Sequence, residues 1–378
     1  MAHSTALENN LCYLDYNATT PVLAEAADAV NAAMQRFGNP SSVHAAGRSA
    51  RAAVEDAREA VAAMVNGTAQ QVVFTSGGTE ANALALRGLA SAAGCMGVIA
   101  STVEHPSVLA HVGADALVAV DHDGLVDLKT LEDMLKARPA PVLIALMFAN
   151  NETGVLQPVT AVVELARKYG ALVHCDAVQV PGKMPLDMQA LGVDSVSLSA
   201  HKCGGLKGTG AAVLRKGVDL AADILGGGQE RRRRAGTENV PGIVAFGAAA
   251  RVHTRLLNDA GRISQLRDAL EAGALSMAPQ AQIYGKGKPR LGNTSCIALP
   301  GISSETQLMR LDLAGVAVSA GSACSSGKIA ASHVLLAMGV PAEAAKSAIR
   351  VSFGWENTEN DVTRFLEAWR PLAVGAAA

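Results

Sequence analysis

Aromatic residues are scarce in this chain. Phe, Trp and Tyr make up 3% of its 378 residues, so a core has to be assembled from Ala, Val, Leu and Ile. Neither sign of charge dominates. Lys and Arg number 32, Asp and Glu 34, and the net charge is −2. A protein that neutralises a phosphate backbone needs a basic excess, so nucleic acid is not an expected partner. No apolar run is long enough to span a bilayer, so no membrane partner is expected. The opening "MAHSTALENN" has neither the basic stretch nor the apolar stretch of a signal peptide, which makes the cytoplasm the expected location. No two of the six cysteines form a C-x-x-C pair, so a zinc site is not expected. Reduced thiols in that compartment argue against a disulfide framework. Low-complexity linkers and internal repeats are also lacking. The length is more than one core usually fills, which predicts two domains.

What is present is alternation. From about residue 50 onward, short apolar runs separate helical patterns. "QVVFTSG" (71–77), "MGVIAS" (96–101), "ALVAV" (116–120), "PVLIALMFA" (141–149), "ALVHCDA" (171–177) and "SVSLSA" (195–200) read as buried strands. Helices are predicted after the first of these and at 127–137 and 159–169. Strands alternating with helices imply crossovers and a largely parallel α/β sheet covered on both faces. From about 245 the texture changes. Helices fill 243–277, and strand-like segments at 293–300, 315–320 and 348–354 alternate with helices at 303–314, 332–338 and from 358. That pattern fits a smaller α+β unit.

In parallel sheets, ligands bind at the carboxyl ends of the strands. The residues there carry chemistry. "TSGGTEAN" follows the first strand, where Gly77 and Gly78 turn the chain and Thr79 opens a helix. Free N–H groups at such a terminus suit an anion, although a plain N-cap uses the same residues. "EHPS" places His105 before a proline, with a side chain suited to proton transfer near neutrality. "ANNETG" sets adjacent amides, including Asn151, at the end of another strand. "HCDAVQ" ends an apolar run with Asp176, a carboxylate that needs a partner there, and Gln179 follows. "SLSAHKCGG" clusters Ser199, His201 and Lys202. A lysine leaving an apolar strand has its pKa lowered by desolvation, which frees the amine to bond a carbonyl carbon. An anion cradle, an acid for a ring nitrogen and a reactive lysine are the parts a pyridoxal phosphate site needs.

One more stretch has a different character. "SAGSACSSGKIAAS" (319–332) surrounds Cys324 with Ser, Gly and Ala. A packing cysteine sits among apolar residues, whereas this one sits in a segment that should be mobile and wet.

These pieces occur in a recognisable order. "YLDYNATTP", "FGNPSSVHAAGR", "VVFTSGGTEAN", "EHPSV", "ANNETG", "HCDAVQVPGK", "SLSAHK", "KGTG", "GGGQERRRRAGTEN", "GSACSSG" and "IRVSFG" run from residue 13 to residue 354. In this the chain resembles the cysteine desulfurases of the NifS/IscS type, which are fold-type-I pyridoxal phosphate enzymes of the class-V aminotransferase family. The resemblance implies a large cofactor-binding domain over 16–250 with a mainly parallel seven-stranded sheet. It also implies a smaller α+β domain from 1–15 and 251–378 that carries the cysteine loop at about 319–332. Lys202 would carry the aldehyde of pyridoxal 5'-phosphate and later move protons. His105 would stack on the ring and share the acid–base work. Asp176 would pair with the ring nitrogen and Gln179 with the phenolic oxygen. Gly78, Thr79, Ser199 and His201 would bind the phosphate, and Thr237 would reach the phosphate of the neighbouring subunit of a homodimer. Asn151, beside the cofactor, and Arg350 would hold the carboxylate of L-cysteine, and Cys324 would take its sulfur as a persulfide, leaving L-alanine.

The resemblance further implies an acceptor, an iron–sulfur scaffold protein of the IscU/NifU type, in a housekeeping or a nitrogen-fixation role. No metal ion is implied for this chain by itself. Cys324 could serve as a transient iron–sulfur ligand once a scaffold docks, since thiolate suits iron. Cys203, beside the cofactor lysine, stands where related chains carry a larger apolar residue, and a minor role is expected for it. Arg231–Arg233 read as a solvated basic surface. Three alternatives use parts of the same set. They are a selenocysteine lyase, a pyridoxal phosphate aminotransferase on the same fold, and a non-enzymatic sulfur carrier.

Overall fold

The computed structural model describes residues 11–321 and 331–375. A seven-stranded sheet forms the centre of the N-terminal part. Its strands lie in the order Val72–Thr75, Gly210–Leu214, Ser195–Ser199, Leu172–Asp176, Leu143–Met147, Val98–Ser101 and Leu117–Val118. The last five are mutually parallel, whereas Gly210–Leu214 runs antiparallel to both its neighbours. The α/β class and the mainly parallel sheet expected from the sequence are present. The strand Gly210–Leu214 was not read from the residues individually. Its "GAAVL" follows a glycine-rich turn and has little side-chain bulk, so it lacks the β-branched signature of its neighbours.

The central strands are buried along their whole length, as an apolar strand covered on two faces should be. Helices Leu128–Ala137 and Val159–Lys168 cover the sheet. The first is capped by Asp127, whose carboxylate accepts from the N–H groups of Lys129 and Thr130. Two further helices, Ala45–Met64 and Val240–Arg251, pack together through small residues. Gly247 lies so close to Ala57 that an added Cβ would sit 2.6 Å from the alanine Cα. With so few aromatics, close packing of Ala and Gly takes the place of bulk.

The C-terminal part holds a four-stranded antiparallel sheet in the order Ser319–Ala320, Ala348–Ser352, Thr294–Ala298, Gln282–Tyr284. Leu14, Leu266, Leu270, Ile297, Val351, Phe365 and Trp369 share one core against it. The N-terminal segment joins this part. Cys12–Tyr13 pairs in parallel with Val316–Ala317, and Asp15 bridges to Ser352. Arg350 therefore sits on a strand that the residues just before the large sheet reach directly.

Among the described residues no helix is long and apolar enough to cross a membrane. None of their His, Cys, Asp and Glu side chains form a cluster that could hold a metal ion.

Candidate active site

The carboxyl ends of the parallel strands open into a cavity of about 310 Å³. Four of the five strands deliver a group to it. Leu172–Asp176 ends on Asp176. Ser195–Ser199 ends on Ser199 and passes into a 3-10 turn, Ala200–Lys202, that presents His201 and Lys202. Val98–Ser101 leads to His105 and Leu143–Met147 to Asn151. Helix Gly78–Ala93 points its N-terminus at the same space. Of the residues anticipated from the sequence, Gly78, Thr79, His105, Asn151, Asp176, Gln179, Ser199, His201, Lys202 and Arg350 line this one cavity. Thr237 does not. It lines a separate hollow with Phe74, Glu230 and Arg234. Cys324 lies outside the described residues.

Lys202 gives up its proton more readily than an ordinary lysine. Its Nζ donates to the carbonyls of Asn17 and, at 2.9 Å, Ala18. Burial lowers its pKa to about 8, and the nearby Arg350 guanidinium adds to the effect. His201 is pushed down to about 4, first by burial and then by the charges of Lys202 and Lys207. Asp176 is held on both oxygens. Val178 N–H donates to Oδ1 at 3.0 Å and Asn82 Nδ2 to Oδ2 at 2.7 Å. Gln179 donates to the Asn17 carbonyl at 3.0 Å and accepts from Lys183 at 2.6 Å. Arg350 donates to Asp15 Oδ1 at 2.8 Å and to the Asn151 carbonyl at 3.1 Å, and its Nε is buried without a partner.

Several of these partners were not singled out from the sequence. Asn17, Asp15, Asn82 and Ser107 contact or line the site, yet each is a short polar residue with no local pattern. Asn17 and Asp15 belong to the quoted "YLDYNATTP" stretch, and Asn82 and Ser107 to "VVFTSGGTEAN" and "EHPSV". Motif membership was therefore the one signal available.

Two observations test whether the cavity fits pyridoxal phosphate. The Ser199 hydroxyl is buried with no hydrogen-bond partner of its own, and a buried orphan of that kind is satisfied by a ligand. The second is at Gly78, where an added Cβ would lie 2.8 Å from Val178 and 3.5 Å from the Ser199 Cβ. The absence of a side chain there keeps the helix N-terminus open beside that hydroxyl. An anion at such a terminus gains from free N–H groups and the helix dipole. The residues fit the group.

The other thiols are poor nucleophiles. Cys203 is buried beside the Ser199 and Ala200 carbonyls, and burial pushes its pKa up to about 12. Burial also raises Cys12, Cys95, Cys175 and Cys296. The arginine run is solvated as expected at Arg231 and Arg232, which are exposed, while Arg233 and Arg234 are half-buried. Arg231 and Arg233 donate to the carbonyls of Ala69 and Gln70 at 3.0 Å each, Arg231 also pairs with Glu55, and Arg234 pairs with Glu80. Glu230, just before the run, is drawn into the core by Arg58.

The family description aminotransferase class-V matches residues 12–365. A cysteine desulfurase of Cereibacter sphaeroides is 45% identical over 371 residues, covering 95% of each chain. The cysteine desulfurase IscS of Dictyoglomus turgidum is 39% identical over 366 residues, covering 94% of this chain and 92% of its own. Among solved structures, a NifS-like protein from Rickettsia africae superposes with a TM-score of 0.87 at 34% identity, covering 96% of this chain and 99% of that one. The structure of SspA in complex with cysteine superposes with a TM-score of 0.77 at 28% identity, over 90% and 98%. The match runs from the first short strand into the last helix and its relatives align over nearly their full lengths, so the chain belongs to the aminotransferase class-V family.

Proposed function

We propose that this chain is a pyridoxal-phosphate-dependent cysteine desulfurase. It converts L-cysteine to L-alanine and passes the sulfur to its own Cys324. The observation that carries the reading is the single cavity that holds Lys202, Asp176, His105 and Arg350 beside an anion-ready helix terminus. Relatives named cysteine desulfurase over nearly the full length give it its substrate, and a structural neighbour has been solved with cysteine bound. In the reaction the C–S bond of cysteine breaks, an S–S bond forms on the acceptor thiol, and a proton returns to the carbon skeleton.

When bound, the cofactor supplies an electron sink that loosens the bonds at the substrate α-carbon. The chain's residues do the rest. Lys202 bonds the aldehyde, and with its pKa near neutrality its amine takes up and returns protons at working pH. Asp176, fixed by Asn82 and Val178, offers a carboxylate to the ring nitrogen. Ser199, Gly78, Thr79 and His201 hold the phosphate, and Gln179 meets the phenolic oxygen. Asn151 and Arg350 orient the carboxylate of the amino acid, for which the guanidinium fork is suited. Cys324 is the acceptor. The five other cysteines are not suited to that task, because burial holds each as a thiol.

Thr237 lies outside the cavity within one chain. It serves the phosphate site of a partner subunit, and exposed Phe37 and Val43 supply apolar surface for a homodimer. The persulfide sulfur then goes to a scaffold protein for iron–sulfur assembly in the cytoplasm, with a nitrogen-fixation role as one branch.

The test is single-turnover chemistry with L-cysteine on wild type and Cys324→Ala. Alanine and protein-bound persulfide are followed together. Wild type is expected to release one alanine per persulfide. The variant is expected to lose both by at least about a hundredfold while still binding cofactor and substrate. Alanine release at the wild-type rate would remove Cys324 from the reaction and bring back a lyase.

A further inference from the structure

A chain of hydrogen bonds beneath the cavity has a direction that can be worked out atom by atom. Asn82 Nδ2 lies 2.7 Å from Asp176 Oδ2 and 2.9 Å from Ser107 Oγ. A carboxylate only accepts, so the amide nitrogen, not its oxygen, faces Asp176. Both amide protons are then used. Asn82 Oδ1 must accept, and it lies 3.0 Å from His174 Nε2. His174 is fully buried, and that burial lowers its pKa to about 4. It is neutral, with its proton on Nε2. Its Nδ1 therefore accepts from Ser195 Oγ at 2.7 Å.

The same logic runs the other way. Ser107 Oγ accepts from Asn82, so its single proton goes to His105 Nδ1 at 2.8 Å. The Ser107 backbone N–H donates to that same nitrogen at 3.1 Å. A ring nitrogen receiving two donors cannot carry a proton itself. His105 is faced by Asp176, Lys202 and His333, and burial, the largest influence, lowers its pKa. Asp176 is faced by His174, Lys202, Glu104 and the Cys175 thiol.

We propose that Ser107 and Asn82 are positioning residues: Ser107, through its hydroxyl and its N–H, holds His105 as the neutral imidazole protonated on Nε2, and Asn82 ties that pair by hydrogen bonds to Asp176. His105 then meets the cofactor and substrate as a hydrogen-bond donor. It is not a base in the resting enzyme, because its basic nitrogen is occupied from below. Proton movement is left to Lys202. This consequence for turnover rests on the proposed function, whereas the tautomer stands on the hydrogen bonds alone.

The experiment is ¹⁵N NMR of the holoenzyme labelled in its histidine rings, with the His105→Gln variant identifying the His105 signals. Wild type is expected to show His105 Nδ1 in the unprotonated range and Nε2 in the protonated range throughout pH 6 to 8, the interval around the ordinary histidine pKa. Ser107→Ala leaves one donor on Nδ1, and the two His105 signals should move toward each other as both tautomers populate. Asn82→Ala keeps the Ser107 donor but cuts the tie to Asp176. Its His105 signals should stay in place while the pH midpoint of the bound cofactor's visible absorption moves by about one unit. Either variant acting only on stability would move neither readout. A protonated Nδ1 in wild type, an unmoved His105 spectrum in Ser107→Ala, or an unmoved absorption midpoint in Asn82→Ala overturns the proposal. If the protein binds no pyridoxal phosphate, the functional reading fails while the imidazole spectrum still decides the tautomer.

Discussion

Arg58 with Glu230 and Arg350 with Asp15 are both buried arginine–carboxylate pairs, and they are completed differently. Arg58 forks onto Glu230 at 2.6 and 2.8 Å, bonds the Val72 carbonyl at 3.1 Å and lies 4.7 Å above the Phe74 ring. Glu230 also accepts from the Phe74 N–H at 2.9 Å. Every face of that pair is used. Arg350 meets Asp15 through one nitrogen only, at 2.8 Å, and keeps a buried Nε without a partner. The difference separates a pair that holds the fold from a pair that waits for a ligand. A finished guanidinium has nothing left to offer a substrate, and an unfinished one is costly until something arrives.

The contrast can be broken by substitution. The largest effect on folding is expected from Arg58→Ala, which strands Glu230 in the core. It should lower unfolding free energy by about 3–5 kcal/mol in denaturant titration, with KM for L-cysteine unchanged in whatever enzyme remains folded. Arg350→Ala should reverse the pattern. Its stability loss should be smaller, because Asp15 still accepts from Ser319 at 2.7 Å. KM for L-cysteine should rise by about tenfold or more, and Arg350→Lys should not restore it, since a point charge cannot form the fork. Equal loss of stability in the two alanine variants would erase the distinction.

A third test concerns pH. The Glu104 carboxyl is buried, and burial raises its pKa to about 8, with one oxygen unpartnered. The folded state therefore holds a proton that the unfolded state has released above the ordinary 4.5. Stability from this group is full below 4.5 and is lost as pH rises through about 8. Glu104→Gln should flatten that part of the stability–pH curve, read by thermal unfolding from pH 5 to 9. A wild-type curve that rises over this interval would contradict the assignment. The smallest effect is expected from Cys203→Ser. Its thiol is buried and pushed up to about 12, so desulfuration should stay within about twofold of wild type.

The strand ends that build the site were legible because each is a strand-like run that closes on a charged residue. Asp176 after "ALVHC" and Lys202 after "SVSLSAH" are of that kind. Their supporting residues were not, because the contacts span long stretches of chain. Asn82 reaches Asp176 across 94 residues and Asn17 reaches Thr294 across 277, and nothing local marks either asparagine. The role of the glutamate before the arginine run was hidden for the same reason, since Glu230 is held in the core by Arg58, 172 residues away. Chain direction was also hidden. The antiparallel Gly210–Leu214 is too poor in side-chain bulk to announce itself.

The Arg58–Glu230 pair has one more effect, on how copies of the protein behave in solution. Val72–Thr75 is an outer strand of the large sheet. A bare outer strand is a template on which another chain can add, and sheets left open in this way aggregate. Here Arg58 occupies the Val72 carbonyl and Glu230 the Phe74 N–H, so that rim is already filled by side chains. The pair works as a hem on the sheet, and a loosened hem would show first as turbidity during refolding rather than as lost activity.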